Sequence, residues 1–484
     1  MPARVFWLYG LAGSGKSAIS TTVADILRRH GLLGALVFCN RDIKERSEPS
    51  NVIRNIAYQL ALFDSQICDR IVAAINNASN IAESPLLWQF DNLLVEPLLS
   101  LPTSQPIVII LDALDECGDL ESRAALMDLL AKESVRLPAF IRIIVTSRGE
   151  SDIRRAFTQV HVIAHEINIA STGNCEDILS FIRHQMKVIR TGKHLLHLPH
   201  DWPGDIAVRA LAGRASGLFV WAVTACRFMD AHNPQKQLDI LLRADVNSKP
   251  QLALDNLYKT ALKATGILDD EEFCSDFRAI MGTILVARNP ISYQTIDTLL
   301  CLDNPSTGRP SSHYTIDKLG CVLRWSDTEP VRILHPSFAD FLKTPQRCDC
   351  DALYIDTHVH DYDVAIRCIH HLHGLKKNMF DLALAITPVE ITLPAATSYA
   401  CVHWIDHVCM ITQVSDNLAD TLQLFLFRHL LHWLEAMSLL KKSRMTIALL
   451  NRFIHWLQVR IFYFKCSVAL VTFDDRYICH IEFH

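Results

Sequence analysis

Residues 6–20 read FWLYGLAGSGKSAIS, an apolar run that breaks into glycines and closes on Lys16-Ser17. The spacing Gly10-x-x-Gly13-x-Gly15-Lys16-Ser17 satisfies G-x-x-x-x-G-K-[ST], the phosphate-binding loop or P-loop. Glycines let consecutive N–H groups turn inward around a phosphate, and the N-terminus of the following helix adds its partial positive charge. On this reading Gly10, Gly13, Ser14, Gly15, Lys16, Ser17 and Ala18 line a nucleotide. Lys16 then reaches its β- and γ-phosphates, and the Ser17 hydroxyl holds Mg²⁺. Phe6 and Trp7 are expected to anchor the preceding strand in the core, while the glycines free the loop.

The chain on either side has the context such a loop requires. The first 165 residues alternate strand-like and helix-like runs. Residues 4–9 form one apolar run, KSAISTTVADILRRHG carries helical spacing closed by Gly31, and ALVFCN (35–40) reads as a second buried strand. SNVIRNIAYQLALF reads as a helix with Ser50 as its N-cap. PIVIILDAL (106–114) is apolar on every face, as a parallel strand covered on both sides must be, and FIRIIVTS (140–147) is another. This alternation predicts a doubly wound α/β domain on a parallel sheet. After about residue 165 strands nearly vanish, and STGNCEDILSFIRHQM and GDIAVRALAGRASGLFVWAVTACRFM read as helices. From 256 to 345 helices give way to CVLRW and VRILHPSF, two short β-like runs around the turn-like SDTEP, which suggests a winged helix. From about 346 to 460 the pattern is helical again, with no internal repeat or low-complexity run.

Composition excludes several classes. With 484 residues, half of them hydrophobic and 20% charged, the chain is globular and large enough for roughly three domains. A balance of 47 basic against 52 acidic side chains argues against general affinity for nucleic acid or anionic membrane. Fifteen cysteines occur without a CxxC pair, so zinc ribbons and thioredoxin-type sites are not expected. Nothing resembling a secretory signal precedes Gly10, and a reducing, cytoplasmic compartment is the expectation, with most cysteines as small core residues. The most hydrophobic late stretches contain Arg428, His429, His432, Glu435 and Lys465, so no membrane span is expected.

A P-loop needs an acidic partner for its metal. IVIILDALDEC ends a buried strand at Asp112, where a Walker B aspartate belongs, and Asp115 and Glu116 follow at once. Either of these two is a candidate to orient a water for attack on a γ-phosphate. FIRIIVTS runs into Arg148, which leaves a neighbouring strand edge and can reach a γ-phosphate.

GLAGSGKS, IVIILDALDEC and IVTSR, in this order and at these separations, resemble the Walker A, Walker B and sensor 1 motifs of NACHT domains, which belong to the signal-transducing STAND class of P-loop NTPases. QFDNLLVEPL, GLFVWAVTACRF, RILHPSFADFL, YACVHWIDH and HLLHWLEAMSLL resemble nephrocystin-like NACHT proteins of mushroom-forming fungi, and the likeness covers roughly residues 1–440. The resemblance implies a nucleotide-binding signalling switch, akin to NLR receptors in recognition or programmed cell death. It would bind ATP or ADP (GTP being possible) with Mg²⁺ and hydrolyse it slowly, with self-association on activation and a protein effector of unknown identity. It also implies that His335, in LHPSFADFL, touches the β-phosphate of ADP and locks the resting form; read alone, a histidine ending a β-run is equally a hydrogen-bonded core residue. The implied organisation is a nucleotide-binding domain (1–165), a helical domain (166–255), a winged helix (256–345), a C-terminal helical region (346–440) and an unassigned tail (441–484).

The sequence departs from that family in places. Only nine residues precede Gly10, so the expectation is that the upstream segment helping to hold the base is lacking. ASGLFVWA stands where related proteins often carry Gly-x-Pro, and no sensor repeat follows. Two other readings stay open: an ordinary P-loop enzyme such as a small-molecule kinase, and a truncated non-catalytic scaffold. His358, His360, His370, His371 and His373, with Cys348 and Cys350 nearby, match no zinc module. Nor does the winged-helix region carry a basic recognition stretch, so no nucleic-acid partner is expected.

Overall fold

The computed structural model describes residues 3–460 apart from 42, 79, 100, 102–104, 159–160, 193–197, 232, 245–248, 303–308 and 378–392. Of the tail read as unassigned, Ser443–Arg460 is helical, while 461–484, Lys465 included, lie outside the described residues.

Five strands, β1 (Val5–Tyr9), β2 (Leu33–Phe38), β3 (Ile107–Asp112), β4 (Ile141–Ser147) and β5 (Val162–Glu166), form one sheet in the order β2-β3-β4-β1-β5. All neighbours are parallel, with Tyr9 opposite Ser147 and Phe38 opposite Asp112. Because every strand runs the same way, the residues following Tyr9, Phe38, Asp112 and Ser147 all emerge at one edge, where open α/β sheets bind ligands. The apolar runs form strands because both faces are covered. In β3, Ile107, Ile109 and Leu111 join the large core on one face, and Val108 and Ile110 pack against Ala24 on the other. Ala24 lies on α1 (Lys16–Arg29), which follows the P-loop.

Several sequence expectations need correction. Trp7 is buried, stacked on Tyr9 and donating from Nε1 to Ser147 Oγ at 2.8 Å, but Phe6 is 36% exposed beside His165. Successive strand residues point to opposite faces, so one aromatic anchors the strand and the other does not. The helix Pro49–Phe63 begins before Ser50, with Glu48 as N-cap and Pro49 at the first helical position, where a missing N–H costs nothing. β2 starts two residues earlier than the apolar run suggested. β5 had no signal: it is an edge strand with exposed His165 and Glu166. The ribbon is only two residues deep, Leu323–Arg324 with Arg332–Ile333.

The chain divides into two compact units. The first comprises 1–264 with 320–322 and 333–340; it holds the sheet and, beyond it, helices including Thr172–Thr191 and Phe219–Met229. The second comprises 265–319, 323–332 and 341–484 and is helical around Glu271–Val286, Thr357–Leu372 and Ala395–Val408. Its interior holds a polar network: His407 bonds Asp361 Oδ1 through Nδ1 (2.7 Å) and the Tyr399 hydroxyl through Nε2 (2.8 Å), and Arg288 reaches the same carboxylate oxygen at 2.6 Å. Among the described residues no group of three metal-ligating side chains converges; Cys348 Sγ donates to the Phe341 carbonyl, and His371 pairs with Thr397. No helix among them is long and apolar enough to cross a membrane.

Candidate nucleotide-binding site

The P-loop joins β1 to α1 at the carboxyl edge of the sheet. Gly15, at φ +96°, is the N-cap of α1 and offers no side chain to its first-turn N–H groups. Those donors therefore remain for an anion, reinforced by the helix dipole. Gly13, at φ +78°, is required for a second reason. A Cβ there would lie 2.1 Å from Val220 Cγ1, and the Val220 N–H donates to the Gly13 carbonyl at 3.1 Å. ASGLFVWA thus docks on the P-loop through Val220.

Lys16 Nζ donates to the Gly10 and Leu11 carbonyls at 2.9 and 2.8 Å. Burial lowers its pKa to about 8 against the pull of Asp115. Ser14 Oγ is buried without a hydrogen-bond partner. An uncapped helix start and an ammonium resting on neutral carbonyls make a donor-rich cradle that fits a phosphate group.

Asp112 is buried, and its Oδ1 accepts from Ser20 Oγ (2.7 Å) and Thr146 Oγ1 (2.6 Å). Thr146 Oγ1 also accepts from the Ala113 N–H at 3.0 Å, and Ala113 is held at φ +58°, a conformation non-glycine residues rarely adopt. Ser20 and Thr146 escaped the sequence reading. Ser20 lies one turn beyond Lys16 and Thr146 just before the strand end, signals too common among helix and strand hydroxyls to single out.

Asp115 is taken up by Arg148, whose N–H donates to Oδ1 at 2.9 Å and whose Nε pairs with Oδ2 at 3.1 Å. Arg148 Nη1 also reaches Asp340 Oδ2 at 2.7 Å, and Arg41 Nη1 pairs with Asp340 Oδ1 at 3.2 Å. Burial works against the Arg148 charge, but Asp340, Asp115 and Glu116 raise its pKa above the ordinary value. Arg123, itself buried against Glu150 and Asp152, donates to the Asp115 carbonyl and braces the turn.

His335 precedes the helix Pro336–Lys343. Its Nδ1 accepts from the Ser337 N–H at 3.2 Å and pairs with Ser337 Oγ at 2.6 Å, and Ser337 Oγ in turn pairs with the Tyr258 hydroxyl at 2.8 Å. Burial, then Arg148 and Lys16, push its pKa down to about 4. The ring is therefore neutral at neutral pH, and the backbone bond at Nδ1 puts the proton on Nε2. Cε1 would sit 3.7 Å from a Cβ on Gly13, directly beside the loop.

Gly13, Gly15, Lys16, Ser17, Ala18, Asp112, Asp115, Glu116, Arg148 and His335 line one cleft of about 570 Å³ inside the first unit. Gly10 and Ser14 do not line it; they lie behind the loop, where Gly10 holds Lys16 through its carbonyl. Phe219, Val220 and Arg227, from the family-like GLFVWAVTACRF, and Cys321 line it too, but nothing in the sequence singled out these side chains as cleft-lining.

A parallel sheet with a P-loop at its carboxyl edge, a buried acidic strand end and a donor-rich cleft define a nucleotide-binding P-loop protein. Residues 2–148 match the family described as nephrocystin 3, N-terminal, a stretch that runs from β1 through β4 and ends on Arg148. Over that stretch the chain is nephrocystin-like. No curated protein matches the sequence. Among solved structures, Cdc6p from Pyrobaculum aerophilum aligns at 14% identity over 68% of this chain and 83% of that one, with a TM-score of 0.30. A point mutant of RuvB from Thermotoga maritima aligns at 12% identity over 68% of this chain and 95% of its own, with a TM-score of 0.20. Superpositions this loose bear on neither activity nor partners.

Proposed function

We propose that the chain is a nucleotide-operated switch of the NACHT or STAND kind, with ADP holding a closed form and exchange for ATP releasing it. In this scheme the P-loop amides and Lys16 hold the β-phosphate. Ser17 and Asp112 would hold Mg²⁺, which would offset the negative charge of the phosphates. Asp112 is kept in place by Ser20 and Thr146. Asp115 and Glu116 both line the cleft and are the candidates to orient a water, Asp115 from its pairing with Arg148. Hydrolysis, if slow, leaves the triphosphate state long-lived, as a signalling role in recognition or programmed cell death requires. Residues 1–165, 166–255, 256–345 and 346–440 are read as the nucleotide-binding, helical, winged-helix and C-terminal helical parts.

One observation carries the reading. A neutral histidine distant in sequence from the P-loop, its proton directed to Nε2 by the Ser337 amide, lies beside Gly13. A core histidine has no need of that place; a donor to a β-phosphate does. Replacing His335 by Leu should weaken ADP binding by roughly 1.5–3 kcal/mol, the worth of one hydrogen bond to a charged group, while ATP loses less. By linkage the closed form loses the same differential, and light scattering should then detect self-association more readily in the variant. Calorimetry that finds both affinities unchanged, with an unaltered size distribution, removes the lock from the scheme.

A further inference from the structure

Arg148 leaves β4 directly after Ser147, which pairs with Tyr9, the residue before the P-loop. The Arg148 side chain lines the same cleft as the P-loop. It does not wait there unopposed. Asp115 holds one side through Nε, and Asp340, 192 positions along the chain, holds Nη1 at 2.7 Å. Asp340 is itself fixed from a second direction by Arg41. Both Arg148 and Asp340 are largely shielded from solvent, at 24% and 19% side-chain exposure, so their charges are weakly screened.

We propose that Asp340 sets the diphosphate preference of the cleft, by occupying the Arg148 guanidinium that a γ-phosphate needs. The inference rests on the nucleotide-switch reading above and adds a residue that reading does not use. A diphosphate ends one phosphoryl group short of Arg148 and leaves the Arg148–Asp340 pair intact. A triphosphate brings more negative charge up to a carboxylate already seated on the Arg148 guanidinium. Either the γ-phosphate takes Arg148 and Asp340 is expelled, or it binds beside a like charge; both weaken ATP relative to ADP. Expulsion also removes one of the ties on the Pro336–Lys343 helix, so the same carboxylate links the identity of the nucleotide to the segment that carries His335. Asp340 is thus a specificity-determining residue, not a catalytic one.

The test is calorimetry on the full chain with Mg²⁺ and either ADP or a hydrolysis-resistant ATP analogue. Asp340→Asn, nearly the same shape without the charge, should shift the ratio of triphosphate to diphosphate affinity by about tenfold toward the triphosphate, and leave the diphosphate affinity near that of the parent. Asp340→Ser is the second variant if the amide does not fold. In an Arg148→Gln background the same change at Asp340 should leave the ratio unmoved, because the contested group is gone. A purely structural ion pair gives another pattern: a lower melting temperature, or equal weakening of both nucleotides, with the ratio constant. A constant ratio while the parent binds both nucleotides overturns the role of Asp340 alone. A parent that binds neither overturns the nucleotide reading beneath it.

Discussion

Lys16 answers to two opposed demands. In the proposed role its ammonium meets phosphates in a low dielectric, yet burial brings its pKa down to about 8. The carbonyls of Gly10 and Leu11 hold it in position meanwhile. A bound phosphate stabilises the charged form, so the pKa in the complex lies above that of the free protein. Affinity should accordingly be flat below pH 8 and fall as pH rises past it, by up to one decade per unit, as binding must first restore the proton. A titration series from pH 7 to 9.5 checks the slope; a flat profile means that the ammonium does not serve the ligand. Lys16→Ala should abolish binding by the same measurement. The glycines and the lysine were legible because the P-loop depends on local spacing. Asp340 was not, since its meaning comes from Arg148, far away in sequence.

At the scale of elements, the end of β3 is the most finely tuned segment. Asp112 closes the strand, Ala113 turns at positive φ, and Thr146 of β4 bonds both the Asp112 carboxylate and the Ala113 amide. Thr146→Val keeps the shape but leaves a buried carboxylate one donor short and an amide without its acceptor. The expected loss is about 1–3 kcal/mol of stability, seen as a lower denaturant midpoint. An unchanged midpoint would mean that water replaces the hydroxyl at no cost. Strand positions were readable from apolar runs, because a parallel strand covered on both faces is hydrophobic throughout. β5 was not, because an edge strand has little to bury, and the pairing of β4 between β1 and β3 follows from topology alone.

For the whole molecule, the two units carry different kinds of stabilisation. The first is organised by the sheet and its apolar faces. The second depends in part on a buried polar network, where Asp361 accepts from Arg288 and bonds His407, which is fully buried with its pKa lowered, first of all by desolvation. Removing Asp361 takes from the Arg288 guanidinium and from His407 Nδ1 the buried carboxylate they share, while His407 keeps Tyr399. Asp361→Ala should therefore cost about 3–5 kcal/mol, read from denaturant unfolding, while nucleotide binding by the folded protein persists. A small loss would show that the cluster is solvated by water and not held by its own partners. Segments 320–322 and 333–340 join the first unit across intervening sequence that does not, a pairing that no local run of residues signals.

What this sequence determined by itself is local: the P-loop, the acidic end of β3, the arginine after β4 and the α/β alternation all lie in short runs whose chemistry follows from residue type and spacing. The tertiary structure decided everything that depends on meeting. It set His335 beside Gly13, bound Arg148 to Asp340, and gave Asp112 its hydroxyl partners Ser20 and Thr146. The physical reason is the same in each case. A loop or a strand is selected by energies within a few residues, whereas a charge pair or a hydrogen bond between distant segments exists only after the core has packed and fixed their separation.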